Sequence, residues 1–146
     1  MTEPDPMKGV IPYLAMDGRA ADACDFYIRA FAAEDAGRMP RPDGEPGLMH
    51  AQVSINGGML MLTDHMGDGP VPSANFGHLQ LVVSDGREWW DRAVAAGCTV
   101  IMPYERQFWG DDWGLLQDAF GIKWAILQDD RQSRGPDHAD RAEVVA

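Results

Sequence analysis

Val10-Ile11-Pro12-Tyr13-Leu14-Ala15-Met16-Asp17-Gly18-Arg19 is answered, 68 residues later, by His78-Leu79-Gln80-Leu81-Val82-Val83-Ser84-Asp85-Gly86-Arg87. Each copy is an apolar run ending in Asp-Gly-Arg and opening a helix-like segment. Each then passes into short apolar strands, closing with Leu60-Met61-Leu62-Thr63-Asp64 and with Ala125-Ile126-Leu127-Gln128-Asp129. Self-similarity at a fixed spacing governs the fold and has to be read first. Two copies are too few for a solenoid. They suit a pseudo-symmetric single domain whose equivalent sheets enclose a cleft.

The segments between these landmarks follow the same order in each half. Residues 8–16 read as a strand. Residues 19–32 read as a helix with Asp17 as N-cap; Ala23, Phe26, Tyr27, Ala30 and Phe31 share its apolar face. Glu34–Met39, His50–Ile55 and Gly58–Asp64 read as strands, with a loop at Pro40–Gly47. Asn56-Gly57 is a two-residue hairpin turn, because both positions tolerate positive φ. The second half reads as a strand at Phe76–Ser84 and a helix at Gly86–Ala96. Asp85 is its expected N-cap, Trp89, Ala93 and Ala96 its stripe, and Gly97 its stop. Thr99–Pro103, Gln107–Trp109, Trp113–Asp118 and Lys123–Gln128 are its strand candidates. Each half is therefore βαβββ. The expected architecture is α+β, with paired βαβββ modules at about 8–64 and 76–129 forming a curved mixed sheet. A linker at 65–75 joins them within one domain, 1–129, and a polar tail occupies 130–146.

Composition narrows the function. A chain of 146 residues with 45% apolar residues and five Trp suits one globular domain. At that size roughly 70% of the unfolded chain's surface can be buried without staples. The net charge of −11 argues against nucleic acid and against an anionic membrane surface. Cys24 and Cys98 show no ligand spacing and read as reduced, packed thiols. The N-terminal residues do not read as a signal peptide, and no run reaches the ~20 apolar residues of a membrane span. The expected location is the cytoplasm. No GxGxxG, GxxxxGK[ST], GxSxG or HExxH is present.

The chain resembles the vicinal oxygen chelate superfamily (glyoxalase I, bleomycin-resistance proteins, extradiol dioxygenases), and within it the PhnB-like branch. The residues carrying this are Pro12-Tyr13-Leu14 with Asp17-Gly18, Phe26-Tyr27 with Ala30-Phe31, His50-Ala51 and Ala96-Gly97. Phe108-Trp109-Gly110-Asp111, Trp113-Gly114, and Asp118-Ala119-Phe120-Gly121 with Trp124 complete the set. Three positions depart from the branch pattern: Asp112 and Lys123 stand where Arg is usual, and Ala119 where Pro is usual. The resemblance implies a homodimer with sites at or near the subunit interface.

It also implies four metal-ligand positions in the enzymes, on the first and last strand of each half. By the chain's own repeat these fall at Val10, His78, near Met61 and near Ala125. Only His78 can ligate, whereas a catalytic divalent site needs about three protein ligands. His78 reads either as a strand-start histidine hydrogen-bonded to its neighbours or as a donor facing the cavity. Tyr104, Phe108, Trp109, Trp113, Phe120 and Trp124 fall within 21 residues. Read as a strand, Phe108 and Trp109 face opposite ways, so one of them lines the concave side. Asp111 and Asp112 would make that mouth acidic, suiting a planar or cationic ligand.

The candidate ligand-binding residues are therefore His50, Met61, His78, Phe108, Trp109, Asp111 and Trp113. No metal ligands are assigned and no cofactor is expected. The expected function is binding of a small, aromatic or cationic molecule without a catalytic metal. The alternative is a metal-dependent lyase, isomerase or dioxygenase drawing ligands from His50, His78 and Asp64. A partner-binding module is a third reading.

Overall fold

The computed structural model describes residues 7–64 and 76–130. The linker 65–75, the tail from 131 onward, His65 and His138 lie outside the described residues.

The first half runs β1 (Tyr13–Ala15), α1 (Ala20–Phe31), β2 (Glu34–Pro40), β3 (Leu48–Ile55) and β4 (Gly58–Thr63). The second runs β5 (Leu79–Val83), α2 (Gly86–Ala96), β6 (Thr99–Arg106), β7 (Asp112–Gln117) and β8 (Lys123–Gln128). The strands hydrogen-bond as two four-stranded mixed sheets, in the orders β1-β4-β3-β2 and β5-β8-β7-β6. In each, the first strand pairs parallel with the last and the other neighbours are antiparallel. The repeat in the sequence is thus a repeat of topology, and the expected α+β pair of βαβββ modules is what forms. Asn56 (φ 51) and Gly57 (φ 80) make the expected turn between β3 and β4.

Alternation along the strands sends Ala51, Val53, Leu60 and Leu62 of the first sheet into the core, with Leu116, Trp124 and Ile126 of the second. The apolar face of α1 covers them: Ala23, Tyr27, Ala30 and Phe31 are wholly buried. Burying a side chain of the size of Phe31 contributes about 1.5–3 kcal/mol. Gly114 shows on which side α2 lies, since a Cβ there would sit 2.6 Å from the Trp90 ring.

The two halves share this core. Tyr27 of α1 packs edge-on against Trp124 of β8, with centroids 5.2 Å apart, and Phe31 lies 4.7 Å from the same indole. Asp118 accepts hydrogen bonds from Tyr27 Oη (2.7 Å), Trp124 Nε1 (2.9 Å), Phe120 N (2.8 Å) and Ile122 N (3.0 Å). Burial, and then the Asp118 carboxylate, hold the Tyr27 phenol well above its ordinary pKa, so it stays a donor. Asn56 Nδ2 donates to Val82 O at 2.9 Å, and Arg92 Nε to Ala30 O at 3.0 Å, joining the halves elsewhere.

Three local expectations need correction. Asp17 and Asp85 make no side-chain cap to either helix. Asp17 (φ 51) and Gly18 (φ 89) form a turn, so α1 begins later. Its first free N–H, on Ala20, is satisfied by Asp64 Oδ1 at 2.9 Å, and Gly86 N by Gln128 Oε1 at 2.8 Å. Asp64, just after the last strand of the first half, and Gln128, at the end of the last strand of the second, thus cap their own half's helix. Gln107–Trp109 is a turn and not a strand: Gly110 N donates to Gln107 O, and Gln107 N to Asp111 O. Gly110 (φ 97) lets the chain reverse there. The first and fifth strands are also shorter than the apolar runs that announce them.

Candidate functional site

Among the described residues, each sheet has one face packed on the helices and one face that neither α1 nor α2 covers. On the first sheet, the register Tyr13↔Met61↔Gln52 places these three residues on the open face, with His50 one pair along on the same strand as Gln52. Tyr13 Oη lies 2.6 Å from His50 Nδ1, and His50 Nε2 lies 2.8 Å from Gln52 Oε1. Tyr13 is 49% exposed.

On the second sheet, the register Gln80↔Ala125↔Leu115 defines the open face, and Trp113↔Leu127 is the next row. Trp113 Nε1 donates to Gln80 Oε1 at 3.2 Å, and His78 Nε2 approaches the same oxygen at 3.5 Å. His78 and Trp113 meet edge-on, with centroids 5.9 Å apart. Trp109 reaches over from the β6–β7 turn to within 5.7 Å of Trp113, and Phe108 packs on Trp109 at 5.0 Å. The result is a half-exposed indole, edged by an imidazole and a carboxamide, beside the apolar side chains of Leu115, Ala125 and Leu127.

Four of the seven predicted residues, His78, Phe108, Trp109 and Trp113, therefore come together. Phe108 is 97% exposed at the tip of the turn. The alternation argument that sent Phe108 and Trp109 to opposite faces, one of them concave, does not apply, because the two occupy a turn. Asp111 is half-buried within that turn, its carbonyl taken by Gln107 N. Asp112 bonds Arg106 Nε at 2.6 Å, which offsets part of the acidity expected of the mouth. His50 and Met61 lie on the other sheet. None of the seven residues lines either of two surface hollows. One, of about 560 Å³, lies at the start of α2; the other, of about 340 Å³, lies between the β3–β4 hairpin and β5. The wider aromatic cluster splits: Trp124, Phe120 and Tyr104 pack toward the core, and only Phe108, Trp109 and Trp113 turn to the open side.

Sequence reading missed Tyr13 and Gln80. Gln80 was findable: it follows His78 by two on a strand, so the two side chains share a face. Tyr13 stands across β4 from β3, and it is the register that places it beside His50.

The donor set can be tested against a divalent metal. The register puts Tyr13 opposite Met61 and Gln80 opposite Ala125, three and two residues along from the repeat-based positions Val10 and His78. None of these four side chains is a carboxylate, imidazole or thiol. The other donors, His50, His78 and Asp64, do not converge. His50 and His78 sit on different sheets, and both Asp64 oxygens hold backbone N–H groups, Ala20 N at 2.9 Å and Leu48 N at 2.8 Å. Among the described residues no three His, Cys, Asp or Glu side chains gather as a metal site would require. The residues present do not fit a catalytic divalent ion at these positions.

Comparison with known proteins gives a consistent picture. The family model for the Glyoxalase/Bleomycin resistance protein/Dioxygenase superfamily matches residues 10–126. The uncharacterized protein Mb0911c of Mycobacterium bovis is 40% identical over 129 residues, covering 83% of each chain. The crystal structure of protein PA1353 from Pseudomonas aeruginosa superimposes with a TM-score of 0.69 at 26% identity, covering 82% of this chain and 98% of that one. A PhnB protein from Bacillus cereus shares the fold, with a TM-score of 0.67 at 19% identity over 84% of this chain and all of that one.

Proposed function

Because this chain belongs to the glyoxalase/bleomycin resistance protein/dioxygenase superfamily, we propose that it is a PhnB-like small-molecule-binding protein that uses no catalytic metal. Its site is the open face of the second sheet. The observation that carries this reading is the Trp113 indole, fixed by Gln80 beside apolar Leu115 and Leu127 and walled by Trp109. Such a surface favours a flat, aromatic ligand through stacking, and a positive charge on it through the indole faces and the overall acidity of the chain. His78 and Gln80 supply the polar contacts that would orient it. The donor set at Tyr13, Met61, Gln80 and Ala125 supports the metal-free part of the proposal.

The protein is proposed to act as a homodimer in the cytoplasm. The outermost strands, β2 and β6, are exposed along nearly their whole length, and Val100, Ile101 and Met102 are about two-fifths exposed in succession. A second copy would cover those edges. No helix among the described residues is long and apolar enough to cross a membrane.

Metal analysis after chelator-free purification tests the reading. Substoichiometric metal, unchanged in His78→Ala, is the expected result. Stoichiometric Zn, Ni, Mn or Fe that is lost in His78→Ala would replace it with a metal-dependent enzyme.

A further inference from the structure

The first sheet carries a second constellation on its own open face. We propose that Tyr13, His50 and Gln52 form a site of proton-assisted nucleophilic chemistry, with the Tyr13 hydroxyl as the attacking group toward acyl- or sulfonyl-type electrophiles. This inference does not depend on the ligand reading of the second sheet.

Hydrogen-bond chemistry fixes the roles. Gln52 Oε1 can only accept, so His50 Nε2, 2.8 Å away, carries a hydrogen. That leaves Nδ1 of the neutral ring as the acceptor, and Tyr13 Oη, 2.6 Å away, donates to it. The order is hydroxyl, base, orienting group, the arrangement that activates nucleophiles in unrelated folds. Gln52 accepts from Nε2–H equally well once Nδ1 has taken a proton, so it serves both states of the ring. It is a positioning residue and touches no electrophile.

The surroundings leave the hydroxyl reachable. Tyr13 is 49% exposed. Its neighbours on that face are Met61, its strand partner, and Met39, which pairs with His50 and is 56% exposed. These flexible apolar side chains suit the organic part of an electrophile. The other two tyrosines are built differently: Tyr27 is wholly buried and bonded to Asp118, and burial raises the Tyr104 phenol above its ordinary pKa.

The probe is 4-(2-aminoethyl)benzenesulfonyl fluoride. Tyr13 Oη attacks sulfur, the O–S bond forms, the S–F bond breaks and fluoride leaves. The phenolic proton passes to His50 Nδ1 and then to water. Peptide mapping is expected to place the first adduct on Tyr13, forming about a hundredfold faster than on free N-acetyltyrosinamide, the low end of what a positioned base contributes. His50→Gln should remove most of that advantage. Gln52→Leu should slow labelling, and Gln52→Glu, which keeps an acceptor, should restore it. A Tyr13 rate equal to that of N-acetyltyrosinamide overturns the proposal without any variant. So does a first adduct elsewhere, or a rate unchanged in a folded His50→Gln protein.

Discussion

Asp118→Ala is the perturbation with the most to lose. Asp118 is 6% exposed, forms no ion pair among the described residues, and its carboxyl group accepts from four donors. Removing the carboxylate leaves Tyr27 Oη and Trp124 Nε1 in residues that are 0% and 2% exposed. The Ile122 and Phe120 amides lose their acceptor too. An orphaned buried donor costs about 1–3 kcal/mol. Two side-chain donors and one buried amide, partly relaxed, come to about 4 kcal/mol, a large part of the 5–15 kcal/mol typical of a domain. The unfolding midpoint should fall by roughly 8–16 °C. Tyr27→Phe removes only one donor, while Oδ2 keeps Trp124, and should cost about 1–1.5 kcal/mol. Urea unfolding followed by tryptophan fluorescence measures all three, including the double variant. The two losses should be non-additive by about 1 kcal/mol, because the residues share one bond. A loss below about 1 kcal/mol for Asp118→Ala would refute the claim that this carboxylate joins the first helix to the second sheet.

Other outcomes follow from single contacts. Asp64→Ala should destabilise by about 1–2 kcal/mol, since it strips the acceptor from both Ala20 N and Leu48 N; chemical denaturation reads it. Gly114→Ala should cost about 2–3 kcal/mol, because the added methyl meets the Trp90 ring at 2.6 Å and the Tyr104 backbone at 2.7 Å; a soluble variant of unchanged midpoint would contradict this packing. Ala32→Gly should gain about 1 kcal/mol, because Ala32 ends α1 at φ 53, where a Cβ is strained; differential scanning calorimetry checks it. Burial pushes the thiols of Cys24 up to about 11 and of Cys98 up to about 12 from an ordinary 9.0. Both are protonated in either state below pH 9, so their contribution is intact there. It is lost as pH rises from 9 through those values, because only the unfolded thiols ionise first. A pH series of unfolding midpoints should decline above 9 and decline less in Cys98→Ala.

The repeat of apolar run, Asp-Gly-Arg and helix was enough to read the element order, because the period of 3.6 in α1 and the Asn56-Gly57 turn are local signals. Cap partners were not legible. Asp64 and Gln128 reach the helices from strands 44 and 42 residues away, and no local pattern announces a contact of that range. The turn at Gln107–Trp109 was misread because two aromatics in sequence look like a strand, while Gly110 decides the geometry. At the site, His78 and Trp113 were legible as polar and aromatic residues at strand ends. Gln80, two along from His78 on one strand, could be read from parity; Tyr13, which meets His50 on the first sheet, depends on register, which only the paired strands reveal.

The most direct test of the proposed binding face is a titration of proflavine, a planar aromatic cation, into the chelator-treated protein while tryptophan emission is followed. Saturable quenching in EDTA, weakened about tenfold or more in Trp113→Ala, is the predicted result. Quenching that never saturates, that is indifferent to Trp113, or that appears only when a divalent ion is added would contradict it.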